Sequence, residues 1–300
     1  MSVTLATDDN WSGVVFYEYS ISGDNEDTGE FEVNRTYLTY SRKLADNLKI
    51  KVQTDVGRQK NDPSNPHLFL YLKNARLDWK TEFGTIIMGL QGMNMFAVQE
   101  KNWGYRYIEK STMDRNKWSS SADMGLGYAT EFGSSLSLNA MITNGSGYKK
   151  PENDPYKKIS FQVLAGEKKL SGESAFNFGG VFSYEPYDVD SVTVGSTLIA
   201  GGFGGWKQGM LKVGGEYNLL IDSDASANES LISAYGTAKI VDKLSVFGRM
   251  DILNDGSETE NYMIAGVRLK PVSGLDIAPN VRFANDDSSA LLAVNFQFKF

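Results

Sequence analysis

The closing stretch Ala290-Leu291-Leu292-Ala293-Val294-Asn295-Phe296-Gln297-Phe298-Lys299-Phe300 decides the fold. Side chains of a strand point alternately to its two faces, so Leu292, Val294, Phe296, Phe298 and Phe300 share one face, and Asn295, Gln297 and Lys299 share the other. A soluble β-sandwich also alternates. Here the apolar face is strongly aromatic and the polar face carries charge, which fits a wall with lipid on one side and water on the other.

The same frame recurs upstream. Leu275, Ile277, Val281 and Phe283 oppose Asp276, Asn280 and Arg282; Leu48, Ile50, Val52 and Val56 oppose Lys49, Lys51, Gln53 and Asp55. Alternating segments of about ten residues run at 13–21, 33–43, 48–58, 68–80, 85–92, 122–131, 136–144, 158–168, 175–184, 192–201, 209–220, 231–241, 244–253, 261–270, 275–284 and 290–300. Sixteen is an even number, which permits closure, and lipid requires that every sheet edge be closed.

The connections fall into two kinds. Ala45 to Asn47, Thr81 to Gly84, Glu131 to Ser135, Val241 to Lys243 and Pro271 to Gly274 are short. Asp24 to Glu30, Lys60 to Pro66, Asn144 to Lys157, Asp222 to Glu229 and Asp255 to Glu260 are longer and polar. Short turns at one end, long loops at the other and both chain ends on the short side define an antiparallel outer-membrane barrel with periplasmic turns and extracellular loops. Tyr17, Tyr19, Trp79, Tyr217 and Tyr262 lie near strand ends, where aromatic girdles are expected.

Composition narrows the function. The 300 residues carry a net charge of −7 with no cysteine, and the pI is near 5.0. That balance argues against nucleic-acid binding, and thiol chemistry is absent. No apolar run reaches the length of a membrane-spanning helix. The start, Met1-Ser2-Val3-Thr4, lacks a signal-peptide pattern and is read as a mature form with an added initiator Met. No linker divides the chain, so 1–300 is expected to form one barrel domain located in the bacterial outer membrane.

One segment breaks the rhythm. Met93 to Ser121 shows no strand alternation yet contains Phe96, Trp103, Tyr105, Tyr107, Ile108 and Trp118, too much aromatic mass for disorder. It joins the fifth and sixth strands on the long-loop side and is expected to fold inward as a constriction at about 93–121. Lys101, Arg106, Lys110, Arg115 and Lys117 outnumber Glu100, Glu109 and Asp114 within it. Lys49, Lys51, Arg76, Arg249, Arg268 and Arg282 fall on water-facing frames, tempered by Asp55, Asp78, Asp123, Asp251 and Asp276. Basic side chains in a narrow pore favour anions, although many such charges serve as wall salt bridges.

The stretch Glu100-Lys101-Asn102-Trp103-Gly104-Tyr105-Arg106-Tyr107-Ile108-Glu109-Lys110-Ser111, followed by Ser121-Ala122-Asp123-Met124-Gly125, resembles the porin O and P family of phosphate-selective porins. The resemblance is strongest over about 85–130. It implies a sixteen-stranded, trimeric diffusion channel with a basic constriction. Trp103 and Tyr105 would anchor the loop, Arg106 and Lys110 would face the constriction, and Asp123 would be a wall or anchoring acid. This chain departs from that family in being shorter and in its acidic outer loops.

Those loops hold Asp24, Glu26, Asp27, Glu30, Asp188, Asp190, Asp222, Asp224, Asp255, Glu258, Asp286 and Asp287. Solvation of loop tips accounts for them, and divalent-cation bridging to lipopolysaccharide is the sharper reading. Asp222-Ser223-Asp224 lacks the in-register Gly and Glu of an EF-hand, so no metal site is assigned. The lone histidine, His67, follows Pro66, and there is no G-x-S-x-G elbow or nucleotide-binding loop. The reading is a passive porin for small hydrophilic solutes or anions, without cofactor and not an enzyme. The alternatives are a barrel sheathing a partner such as a cytochrome, or an outer-membrane hydrolase.

Overall fold

The computed structural model describes residues 9–23, 29–58, 67–152, 154–190, 192–284 and 290–300. The start of the chain, the 60–66 loop and the acids Asp24, Glu26, Asp27, Asp286 and Asp287 lie outside the described residues. Alternation of polarity yields strands β1 (Asn10–Ser22), β2 (Glu30–Ala45), β3 (Leu48–Arg58), β4 (Leu68–Lys80) and β5 (Thr85–Gly92). Two short helices follow, α1 (Ala97–Trp103) and α2 (Thr112–Arg115). Next come β6 (Ala122–Phe132), β7 (Leu136–Thr143), β8 (Lys158–Gly166), β9 (Ser174–Asp188), β10 (Val194–Gln208) and β11 (Leu211–Asp222). The wall ends with β12 (Glu229–Val241), β13 (Leu244–Asn254), β14 (Thr259–Val272), β15 (Leu275–Ala284) and β16 (Leu291–Lys299).

Each strand pairs with its sequence neighbours, and β1 pairs with β16, closing an antiparallel barrel. At the seam the Gly13 N–H donates to the Phe300 carbonyl at 2.8 Å, and the Phe300 N–H donates back at 3.1 Å. Closure leaves no strand edge to be solvated by lipid.

The outward frame is apolar. Leu68, Leu70, Leu72, Ile159, Phe161, Val163, Phe176, Phe178 and Leu292 are exposed, which in water would be an aggregating surface and in a bilayer is the solvated one. Asn295, Gln297, Asp276, Asn280 and Arg282 are buried on the opposite frame. A closed barrel with this exterior is an outer-membrane protein, and lipid covers its belt. Tyr17 stacks on Phe296 with ring centroids 4.4 Å apart, and Trp79 and Tyr217 stay exposed. Tyr262 does not join them: Met263 takes the outward position on β14, so Tyr262 points into the barrel.

Three local departures have physical causes. β10 continues from 201 to Gln208 through Gly201-Gly202-Phe203-Gly204-Gly205, a run whose low strand propensity is overridden by pairing with β9 and β11 on both sides. The β3–β4 register shifts between Gln53 and Thr54 so that Lys73 has no opposite residue, and this bulge buries Lys73 and Asn74 consecutively. Finally, the segment after β5 contains helices too short to print a 3.6-residue period.

In detergent the protein is expected to give a β-dominated circular dichroism spectrum. Unheated and boiled samples should run at different gel positions, because the hydrogen-bonded wall resists detergent until heated. A single position with and without boiling would contradict a closed barrel.

Candidate functional site

The segment 93–121 begins at a neck where the Met93 N–H donates to the Ser121 carbonyl at 3.2 Å. α1 buries Val98, Gln99, Asn102 and Trp103 along one side. It ends at Gly104, whose φ of +82° is a left-handed cap that glycine adopts without a Cβ penalty. A side chain there would also strike the Lys212 Nζ.

The loop packs against inward-facing side chains in two apolar patches. Trp103, Tyr105, Tyr107 and Ile108 sit on Phe16, Tyr235, Phe247, Tyr262, Ile264 and Ala278. Met95, Phe96, Val98, Met113 and Trp118 sit on Leu164, Val181, Ile199, Phe203 and Leu231. The usual polar interior is therefore reversed in this sector, because the loop rather than water covers it. Burying each of these side chains contributes on the order of 2 kcal/mol.

Polar clasps fix the register of the docking. The Asn102 Nδ2 donates to Asn177 Oδ1 at 2.7 Å, and the Asn177 Nδ2 returns a bond to Asn102 Oδ1 at 2.9 Å. Gly205 makes room for that pair, since a Cβ would lie 2.8 Å from the Asn102 amide. Gln162 donates to the Asn94 carbonyl at 2.6 Å and Asn295 to the Tyr107 carbonyl at 3.1 Å. Arg249 grips Asp251 through Nε at 2.8 Å, donates from Nη1 to the Lys110 carbonyl, and lies 5.3 Å from the Trp103 ring centre. The indole N–H of Trp103 donates to the Glu109 carbonyl at 3.0 Å, and the Tyr262 hydroxyl donates to the Glu109 carboxylate at 2.9 Å. Asn94, Asn102, Asn177 and Gln162 escaped the sequence reading. Gln162 and Asn177 carry as their only signal an uncharged amide on the inward frame of β8 and β9, and Asn94 and Asn102 lie in the loop, where no frame exists.

Two cavities lie on opposite sides of the loop, and Tyr107 lines both. The one on the long-loop side measures ≈ 550 Å³ and is lined by Arg35, Arg58, Arg106, Lys110, Lys149 and Arg282, facing the carboxylates Glu18, Glu30, Glu32 and Glu109. The one on the short-turn side measures ≈ 360 Å³ and is lined by Lys101, Tyr105 and Arg268, among others.

Of the residues singled out from sequence, Arg106, Glu109, Lys110 and Arg282 thus come together on one side, and Lys101 and Arg268 on the other. Arg106 is held by two acids, Glu100 at 2.5 Å and Asp114 at 3.0 Å, so much of its charge is spent within the loop. Lys110 makes no ion pair among the described residues, and burial pushes its ammonium below the ordinary lysine range. Arg115 lies over the Tyr262 ring at 3.6 Å, and Lys117 is exposed with a left-handed φ of 63°. Asp123 accepts the Gly145 N–H at 2.6 Å and the Met124 N–H at 2.8 Å, which secures the next loop rather than the lumen. Arg76 pairs with Asp78 at 3.0 Å, and Lys49 and Lys51 stand opposite that pair in the ladder, apart from both cavities.

Several loop acids bind their own turns. Asp190 accepts the Val192 and Thr193 N–H groups, each at 2.8 Å, and Asp255 accepts those of Ser257 at 2.8 Å and Glu258 at 2.7 Å. Asp222 accepts the Asp224 N–H at 3.0 Å. Turn formation accounts for these carboxylates.

The third long-side loop of the sixteen-stranded barrel is thus folded inward and docked on the wall. No family model matches the sequence, and no curated protein matches it. Among solved structures the chain is similar to OmpT, an outer membrane protein of Vibrio cholerae, in its trimer form, with TM-score 0.69 and 18% identity over 98% of this chain and 100% of that one. It is also similar to Salmonella typhi OmpF, with TM-score 0.71 and 10% identity over 97% of each chain. An anion-selective porin from Comamonas acidovorans gives TM-score 0.69 and 10% identity over 98% and 100% of the two chains. These likenesses establish a common fold.

Proposed function

We propose that the protein is a porin, a passive channel for small hydrophilic solutes and ions, whose 93–121 loop forms the constriction. The observation that carries this reading is the loop's position between two cavities that share Tyr107 as a lining residue. Nothing in permeation calls for a general base or a cofactor, and the lumen supplies what a channel needs: a polar wall, a narrowing and fixed charge. A homotrimer fits the trimer form of the similar OmpT. Porin O and P membership and phosphate preference rest on the resemblance at 100–125 alone.

Selectivity follows from the charges. In the long-loop cavity Arg35, Arg58, Arg106 and Arg282 are paired with Asp55, Glu32, Glu100 with Asp114, and Glu18, so the positive charge left to favour anions is that of Lys110 and Lys149, and the preference is weak. Reversing Arg106 would set a third carboxylate beside Glu100 and Asp114 and disturb the loop, so Lys110 is the cleaner probe. In a salt gradient Lys110→Glu should lower the anion-to-cation permeability ratio on the order of twofold, read from the reversal potential. The same ratio should fall as pH rises through the lowered Lys110 value, because deprotonation removes a positive charge; the fall begins below the pH at which an exposed lysine titrates. An unchanged reversal potential would remove Lys110 from the permeation path. Single-channel recording of the purified protein tests the reading as a whole, and absence of any conductance would refute it.

A further inference from the structure

The lipid-facing side of the wall is not uniformly rough. On β8 the outward positions carry Ile159, Phe161 and Val163, all exposed. Across β12, β13 and β14 the outward positions at mid-strand are Gly236, Gly248 and Ala265, and Gly248 stands directly between the other two in the ladder. Val213, Met250 and Phe283 rise around them, so the surface sinks into an oblique trough of ≈ 660 Å³, running from near the base of β11 to near the top of β15.

The backbone does not require glycine at these positions. A Cβ on Gly236 would meet the Lys212 carbonyl and Val213 Cγ1 at 3.7 Å, and one on Gly248 would meet the Ile264 carbonyl at 3.7 Å, all ordinary contacts. Glycine weakens a strand, and where local packing does not demand it, it marks a place where something else lies close to the backbone.

A second feature lies at the foot of the same strands. The Lys270 N–H donates to the Lys243 carbonyl at 2.9 Å, which sets these two exposed lysines side by side at the short-turn ends of β13 and β14. Lys243 Nζ donates to the Pro271 carbonyl at 3.2 Å, and among the described residues neither lysine makes an ion pair. The acid in that turn, Asp242, is already taken by Lys239 at 2.6 Å.

Gly248 lies five residues along β13 from Lys243, and Ala265 five along β14 from Lys270. At ~3.3 Å per residue on strands tilted ~40°, that separation is a depth of about 13 Å, one leaflet's share of an apolar band about 25 Å tall. The lysines therefore sit at headgroup level, and the trough floor lies where the acyl chains of that leaflet end.

We infer that the trough and the lysine pair form one binding site for an anionic phospholipid of the short-turn leaflet, with an acyl chain laid in the trough and the phosphate on Lys243 and Lys270. A concave, rimmed surface suits a flexible chain better than the convex wall of a second barrel, and two unpaired lysines call for a headgroup of net negative charge. The site is on the outer face of the wall and does not depend on permeation.

The probe is phosphatidylglycerol, with phosphatidylethanolamine of the same acyl chains as the comparison. Native mass spectrometry of the delipidated protein in neutral detergent should show one phosphatidylglycerol held at least about tenfold more tightly, since each lysine near an anionic headgroup contributes roughly fivefold. Lys243→Gln with Lys270→Gln should remove that preference and leave phosphatidylethanolamine unchanged. Gly236→Leu with Gly248→Leu fills the trough and should weaken both lipids at least about fivefold. Lys80→Gln, at the same end of the barrel on β4, should change nothing. Heat-dependent gel mobility shows that each variant is folded, and Ala265→Leu takes the place of the glycine pair if that pair does not fold. Equal retention of the two lipids by the parent, or unchanged phosphatidylglycerol retention in either the lysine or the leucine variant, overturns the site. A leucine variant that keeps its phosphatidylglycerol and falls apart into monomers would give the trough to a second copy of the chain instead.

Discussion

Deleting Asn102 to Lys117 is expected to raise single-channel conductance by about two- to threefold, because a sixteen-stranded barrel without its loop encloses a much wider aqueous bore. The deleted residues include Tyr107, which both cavities share, and Arg106 and Lys110 on the long-loop side. The neck bond from Met93 to Ser121 lies outside the deletion. None of the sixteen strand pairings passes through the loop, so the wall should close without it. The deletion does uncover Tyr235, Phe247 and Ile264, and stability should fall as water reaches them. Heat-dependent gel mobility would show that the barrel persists, so that conductance can be read independently. A variant that folds and conducts like the parent would place the loop outside the permeation path.

Trp103→Ala should loosen the same loop without cutting it. The indole is 1% exposed and meets Tyr105, Tyr235 and Phe247 with centroids 5.0, 5.8 and 6.0 Å away. Truncating a buried tryptophan costs about 3–5 kcal/mol. Its N–H bond to Glu109 is lost as well, and that contact holds the carbonyl next to the one gripped by Arg249. The cost falls on docking rather than on the wall, so the readout is local. Trypsin should cut after Lys101, Arg106, Lys110, Arg115 or Lys117 in the variant while leaving the parent intact, and current noise should rise. Equal trypsin resistance would show that Trp103 does not hold the loop in place.

The wall was legible in the sequence because lipid and water impose opposite demands on alternate residues. In β15 and β16 the alternation named Leu275, Ile277, Val281, Phe283, Leu292, Val294, Phe296 and Phe298 on the outward face, and left out Pro279, which shares it. The same logic misplaced Tyr262, since an aromatic residue near a strand end suits either a girdle or a pad beneath a loop, and only the neighbouring Met263 decides. The bulge at Lys73 was hidden because an extra residue leaves no mark in a polar run. Helices α1 and α2 span seven and four residues, too few to establish a period.

The site was legible as a segment and not as an arrangement. Aromatic mass between Met93 and Ser121 announced burial, yet the surface that receives it is assembled from Phe16, Tyr235, Phe247, Ile264 and others scattered along the chain. Arg106 was read as a pore charge, but its pairing with Glu100 and Asp114 depends on the fold of the loop. Lys101 and Arg268 were noticed singly. Lys169, Lys207, Lys212 and Lys299, which line the same cavity, were not, because nothing in the linear order relates them.

The β1–β16 seam has a consequence for how the chain is made. Fifteen of the sixteen pairings join consecutive strands and can zip as local hairpins, whereas the seam brings Val14 against Lys299. Within the wall that seam is the pairing of greatest sequence separation, and its loop-closure entropy grows with the logarithm of the intervening length. Until it occurs, both terminal strands carry unpaired amides that neither lipid nor a neighbour can satisfy. The wall can therefore shut only once β16 has been made and set in register against β1.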